Sequence, residues 1–414
     1  MNKKKLSALL PLLLFFLQMS AQTVRIDAEI RYRGEGRNGF REPLPDTLSI
    51  PFLNALRTKL NLSYASKDVR ARLSLFDSRI YGSTAYNNPG NSLGLFEAWG
   101  EYLFTPTFSF VIGRQALDYD DKRLFSSSSW SNLQNAHDLF LLKYVSDDFT
   151  VHFGNAWNNP SESNYYLNAY TVSYKSLNYL WISKPVGKIS VSAIYVNDRY
   201  ETGTVPAILT TSRHTAGINA GLPDGENPFS FYASAYYQFG RDRENRKLNA
   251  SLLAVKLQYQ LSGEWSVLAG GDCLSGSEND MAAGKSKTFN KLYGSNHSFN
   301  GSIEYWRNVP AQGLVDIYAG LTGNFSSRLN FNATFHRFAA QQEIAPGRGK
   351  ALGAELDVTA GLTVSKQFSL QGGWSTYFVN DGTEILKQQT GVSTRFPQWI
   401  YIQLTFKPVF FTKE

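Results

Sequence analysis

The chain has 414 residues, 43% of them hydrophobic and 14% aromatic, yet its mean hydropathy is negative. Forty-one Lys and Arg oppose 34 Asp and Glu for a formal charge of +7, and Cys273 is the only cysteine. These figures exclude an intramolecular disulfide, and the lack of any apolar run of about 18 residues excludes a helical membrane protein.

The N-terminus reads as an export signal. Lys3, Lys4 and Lys5 precede an apolar run over residues 6–17, and Ser20-Ala21-Gln22 offers small residues for cleavage. The run is too short to span a bilayer, which takes about 20 residues. The division is therefore a signal peptide over 1–21 and a single domain over 22–414. Removing three lysines leaves 38 basic against 34 acidic residues, so the distribution of charge carries more meaning than its total.

Residues 24–33 set the pattern. Val24, Ile26, Ala28, Ile30 and Tyr32 occupy one face of a strand, and Arg25, Asp27, Glu29, Arg31 and Arg33 the other. Five charges on one face and none on the other suit a wall between lipid and water. After a long polar loop, residues 52–65 put Leu56, Leu60, Leu62 and Tyr64 outward with Arg57 and Lys59 inward; past a turn at Ser66-Lys67, Val69, Ala71, Leu73 and Leu75 alternate with Arg70 and Arg72. A basic residue on the lipid face at mid-membrane costs roughly 2–4 kcal/mol, which fixes this register.

The alternation continues over 93–104, 107–115, 137–146, 149–157, 167–183, 189–197, 213–222, 229–239, 248–261, 265–274, 314–323, 329–338, 352–364, 368–378 and 397–406. The connections alternate long and short throughout, and the short ones carry Thr-Pro, Lys-Pro or Ser-Gly turn chemistry. An up-and-down barrel produces this asymmetry. The predicted fold is all-β, a transmembrane antiparallel β-barrel of about 18 strands in the outer membrane. Its partners are membrane lipid and lipopolysaccharide, and Phe406 supplies an aromatic last strand for the barrel-assembly machinery. Tyr64, Tyr102, Phe108, Tyr174, Trp181, Tyr195, Trp265, Phe378 and Trp399 fall near strand ends and are candidates for aromatic girdles.

Two stretches break the pattern. Residues 113–132, GRQALDYDDKRLFSSSSWSN, pack Arg114, Asp118, Asp120, Asp121, Lys122 and Arg123 before a serine run and Trp130. Residues 275–313 form a long insertion containing FNKLYGSNHSFNG with His297; residues 302–306 read as a loop or short helix, since counting them as a strand makes the total odd. These two runs, with the alternation between them, resemble the alginate export family of outer-membrane proteins, and the likeness covers essentially the whole chain after the signal. The resemblance implies an 18-stranded barrel with a narrow, charged pore, partly closed by loops, that conducts an anionic polysaccharide outward. The motif positions it carries over are Gly113-Arg114-Gln115, Asp120-Asp121, Arg123, His297 and Gly301, while Gly294-Ser295 stands where relatives have proline-containing turns. The substrate itself does not transfer.

The inward set Arg25, Arg31, Arg33, Arg57, Lys59, Arg70 and Arg72 forms one basic wall, which steers anions in a low-dielectric pore. Asp27, Glu29, Glu97, Glu101, Glu355 and Asp357 are available to pair with it. Together with Arg114, Asp118, Asp120, Asp121, Lys122, Arg123 and His297, that wall makes up the candidate pore-lining and substrate residues. The expected ligand is an anionic saccharide or other small anionic solute. A general or hydrophobic-solute porin and a closed adhesin or binding scaffold are the alternatives. The five histidines are scattered without metal-type spacing, and no nucleophile–base pair, phosphate loop or nucleic-acid motif appears. The chain therefore reads as a non-enzyme with no cofactor, no metal and no nucleic-acid partner.

Overall fold

A computed structural model describes residues 22–413 except 86, 89, 91, 224, 226, 280 and 390–395. The predicted signal peptide over 1–21 lies outside the described residues. Alternating apolar and polar residues pair into one continuous antiparallel sheet. Its first half is β1 (Thr23–Asn38), β2 (Phe52–Ala65), β3 (Val69–Ile80), β4 (Gly94–Leu103), β5 (Phe108–Gln115), β6 (His137–Val145), β7 (Thr150–Trp157), β8 (Ser176–Val186) and β9 (Ile189–Thr202). The second is β10 (Leu209–Leu222), β11 (Phe229–Arg241), β12 (Lys247–Gln260), β13 (Trp265–Leu274), β15 (Leu314–Asn324), β16 (Leu329–Ala339), β17 (Ala351–Ser365), β18 (Phe368–Phe378) and β19 (Gln398–Phe406). The short β14 (Lys285–Ser286) sits in the loop after β13 and runs parallel to the start of β12.

Closure comes from β1 against β19, with Ile30 opposite Phe406 and Asn38 opposite Gln398. Among the described residues the barrel therefore has 18 strands, as the alternation predicts. The tail beyond Phe406 has a structural reason. β20 (Val409–Lys413) continues β19 past Pro408 and pairs with Val24–Asp27 of β1, with a bulge between Ile26 and Asp27. The long β1 is thus covered along its length, and no unpaired edge is left at the seam.

The outer face is apolar. Leu253 is 59% exposed, Ile317 62% and Ile400 58%. A continuous apolar belt of this kind is incompatible with a water-facing surface and fits lipid. Cys273 lies on this face and its neighbour Asp272 is buried inside.

Three details differ from the alternation reading. The strand expected over 167–183 is β8, shifted towards the C-terminus, and its turn is Gly187-Lys188 rather than Lys184-Pro185, because Pro185 remains paired with Ser190. β1 runs five residues further than predicted, where Gly34 and Gly36 interrupt the apolar face but not the ladder. Tyr174, Trp181 and Trp399 are not girdle residues: Tyr174 and Trp399 are buried, and Trp181 hydrogen-bonds to Asp120 inside. Tyr102, Phe104 and Phe108 do cluster on the outside at the short-turn end. Residues 302–306 are loop, and the one α-helix among the described residues, α1 (Asp381–Lys387), follows β18 and is capped by the Asn380 side chain.

Candidate functional site

The two stretches that break the strand pattern fold into the barrel and meet there. The first strap, residues 116–136, joins β5 to β6, and the second, residues 275–313, joins β13 to β15. They touch along a short parallel contact, with Phe125 opposite Tyr293. Tyr293 N donates to Leu124 O at 3.0 Å, Ser126 N to Tyr293 O at 3.1 Å and Ser295 N to Lys122 O at 3.0 Å. Gly294 permits the approach, because a Cβ there falls 1.9 Å from the Arg123 carbonyl oxygen.

The first strap is pinned to opposite walls. On one side Asp120 accepts from Trp181 Nε1 of β8 at 3.0 Å, Ser192 Oγ of β9 at 2.5 Å and Asn219 Nδ2 of β10 at 3.0 Å. Burial pushes the Asp120 carboxyl above the usual carboxylate range, against the pull of the Ser192 and Trp181 bonds. Next to it Asp121 holds Arg123 Nε at 2.6 Å and accepts from Ser234 of β11 at 3.1 Å. Arg123 then forks onto Asp272 of β13 at 2.7 and 2.8 Å and lies over the Phe299 ring at 4.0 Å. Burial works against the Arg123 cation, but Asp272 and Asp121 outweigh it and hold the guanidinium charged. Asp118 closes the strap on itself, accepting from Ser127 N and Oγ, with Lys122 3.6 Å away.

On the other side the strap meets the basic wall of β1 and β2. Arg31 donates to the carbonyl oxygens of Ser129, Trp130 and Ser131 and to Asn132 Oδ1, at 2.8 to 3.1 Å. Arg57 reaches Ser129 O and Ser131 O, Arg33 bonds Trp130 O and lies over its ring at 4.3 Å, and Lys59 reaches Gln134 Oε1 at 2.9 Å. The serine run exposes carbonyl oxygens in a row, and the guanidinium forks match them.

The second strap is held by β17. Ile303 N donates to Glu355 Oε1 at 2.7 Å and Ser302 N to Asp357 Oδ2 at 3.1 Å. Gly301 has φ 84° and comes so close to Glu355 that a Cβ falls 2.3 Å from its Oε2, so a side chain fails on both counts. His297 stacks flat on Trp130 at 4.2 Å and 7°, and its Nδ1 lies 3.2 Å from Glu304, which Arg41 pairs at 2.8 Å. Burial opposes the Glu304 charge, but His297 and Arg41 hold its carboxyl below the usual range.

Of the residues singled out by sequence, Arg31, Arg33, Arg57, Lys59, Asp118, Asp120, Asp121, Lys122, Arg123 and His297 are brought together at or within the straps. Arg25, Arg70 and Arg72 lie toward the short-turn end and pair with Asp27 at 2.8 Å, Glu101 at 3.6 Å and Glu97 at 2.9 Å. Arg114 stands apart, sharing a strand face with the outward Ile112 and pairing with exposed Asp138 at 2.8 Å. Glu355 and Asp357, available in principle to the basic wall, hold the second strap instead. Sequence reasoning did not pick out Asp272, although it falls on the inward parity of β13 with Ser266 and Leu268.

The two halves of the interior differ in charge. β13, β15 and β17 contribute Asp272, Asp316, Glu355 and Asp357, all buried, with His336 2.9 Å from Asp316. β1 to β3 contribute the arginines.

Comparison with known proteins accords with this architecture. Acinetobacter baumannii OccAB4 is similar in structure with a TM-score of 0.63 at 12% identity, covering 95% of this chain and 99% of that one. Pseudomonas aeruginosa OccK5 (OpdH) is similar with a TM-score of 0.61 at 13% identity, covering 94% and 98%. The outer membrane protein OprD from Pseudomonas aeruginosa is similar with a TM-score of 0.60 at 10% identity, covering 93% of each chain. No curated protein matches the sequence. The family model described as alginate export matches residues 23–378. This chain belongs to the alginate export family: it is an outer-membrane β-barrel channel and not an enzyme.

Proposed function

We propose that this channel passes anionic saccharides or related anionic solutes through an interior narrowed by the two straps, after export directed by a cleaved leader over residues 1–21. The observation that carries the reading is the charge balance at the neck. Arg31, Arg33, Arg57 and Lys59 meet two carboxylates there, Glu29 and Glu35, and Glu35 is shared with Arg37. Arg31 in particular bonds only to neutral oxygens, its Nε has no acceptor, and it stands in no ion pair among the described residues. A positive excess in a low-dielectric passage concentrates anions. In this reading Arg25, Arg70 and Arg72 continue the path toward the periplasm, and Asp118, Asp120, Asp121, Lys122, Arg123 and His297 shape the neck. The test is the reversal potential of the refolded protein in a planar bilayer under a salt gradient. Anion preference is expected, and cation preference overturns the proposal.

A second reading, a closed binding scaffold, draws on how thoroughly Asp120, Asp272 and Arg31 pin the first strap. Absence of any single-channel conductance in the same bilayer favours it.

A further inference from the structure

A second cluster of cations lies away from the β1–β2 wall. A cavity of about 500 Å³ opens between the loop that joins β11 to β12 and the middle of the second strap, on the long-loop side of the barrel. Its size falls within the range of about 300–1,000 Å³ usual for small-molecule sites. Arg213, Arg243, Arg246, Lys291 and Arg307 line it, against two lining carboxylates, Asp242 and Glu244.

Tracing each carboxylate shows which cations are left over. Asp198 takes Arg213 through two bonds, at 3.1 and 2.5 Å. Asp242 and Glu244 both go to Arg246, at 2.7 and 3.2 Å. The nearest carboxylate to Arg307 is Glu304 at 3.8 Å, already taken by Arg41 at 2.8 Å and His297 at 3.2 Å, and Arg307 Nε is buried without a protein acceptor. Arg243 spends one donor on the Thr171 carbonyl oxygen at 2.6 Å and is otherwise exposed. Lys291 is the extreme case, with its Nζ buried and no protein acceptor in reach. Burial, and then the neighbouring Arg123 and Arg307 charges, bring its ammonium down to about 8 against the pull of Glu304 and Asp272. A folded chain rarely leaves a buried ammonium with no counter-charge unless something else supplies one.

We propose that this pocket is a receptor for an anionic group carried on a sugar, a carboxylate or a sulfate ester, arriving from the external side. Lys291 and Arg307 bind the anion and Arg243 stands at the rim. Tyr200, half-buried, also lines the cavity and offers an apolar face to a sugar ring. A charged donor pair of this kind forms strong, oriented hydrogen bonds to an oxyanion. The site does not depend on the ion preference of the neck, because no residue of β1 or β2 lines it. It gives the channel an external capture point.

The test is isothermal titration of the full chain refolded in detergent, with trigalacturonate, glucose 6-sulfate, inorganic phosphate and neutral maltotriose as probes. Wild type binds trigalacturonate or glucose 6-sulfate saturably and does not bind maltotriose, and the stronger of the two identifies the anionic group. Lys291→Met weakens that binding tenfold or more, Lys291→Arg retains it, and Arg328→Gln, in the exposed short turn between β15 and β16, leaves it unchanged. Heat-modifiable migration on gels establishes that each variant is folded. If Lys291→Met does not fold, Arg243→Gln decides the matter, with a loss of about threefold or more expected. Equal affinity in wild type and the pocket variants overturns the proposal, as does equal binding of maltotriose, binding of phosphate without either charged sugar, or no binding at all.

Discussion

Arg123 grips Asp272 through two parallel bonds of 2.7 and 2.8 Å, joining residues 149 positions apart in the chain. Both side chains are buried, and the pair ties the first strap to the barrel wall. Breaking one partner of a buried pair costs about 3–5 kcal/mol, because the other charge is stranded, while replacing both is far milder. Arg123→Met therefore frees the strap and raises single-channel conductance and its noise. Arg123→Met combined with Asp272→Asn returns part of the way to wild type. A double variant as severe as the sum of the singles removes the coupling.

The neck predicts an ordered loss of selectivity. Arg31→Gln removes a charge bonded only to neutral oxygens, whereas Arg72→Gln removes one paired with Glu97 at 2.9 Å. The reversal potential should move toward cation preference further for Arg31→Gln than for Arg72→Gln. The opposite order breaks the link between charge imbalance and selectivity.

Acid should loosen the second strap. Glu304 is held below its ordinary value of 4.5 by His297 and Arg41 in spite of its burial. A depressed carboxyl contributes stability that is fully present above its unfolded value and is lost as pH falls through the folded one. Hydrogen exchange over residues 293–307 should therefore be flat from pH 7 down to about 5, relative to intrinsic rates, and speed up below about 4. Glu304→Gln should abolish that acid step; persistence of the step in the variant points to another group.

The C-terminal tail is predicted to stabilise the seam. Removing residues 407–414 leaves Val24–Asp27 of β1 paired with β2 on one edge and unpaired on the other. An exposed strand edge in the bilayer leaves backbone groups unsatisfied. The truncated barrel should lose its heat-resistant gel mobility at a lower temperature than wild type. Identical melting in the two proteins means β20 is dispensable.

Cys273 reports the register directly. It faces outward while Asp272 beside it faces in. In proteoliposomes a lipid-soluble maleimide should label it readily and a charged, membrane-impermeant thiol reagent poorly. Fast reaction with the charged reagent places β13 one residue out of register.

The sequence by itself determined the barrel. A side-chain period of two is a local property, and the arginines of β1 to β3 choose which face meets water, so strand number, closure and loop asymmetry follow from near neighbours. Strand ends were less legible where glycines interrupt the apolar face, as at Gly34 and Gly36, or where Pro185 imitates a turn. The candidate site was legible in its residue types and not in its partners. Arg31, Arg57, Asp120 and Arg123 stand out as charges, but nothing periodic relates Arg31 to Ser129, Asp120 to Asn219, or Arg123 to Asp272. Those pairings depend on where two irregular segments come to rest inside a closed wall. Only the tertiary structure decided that the arginines of β1 and β2 hold a strap, and that Lys291 Nζ is buried without a hydrogen-bond acceptor.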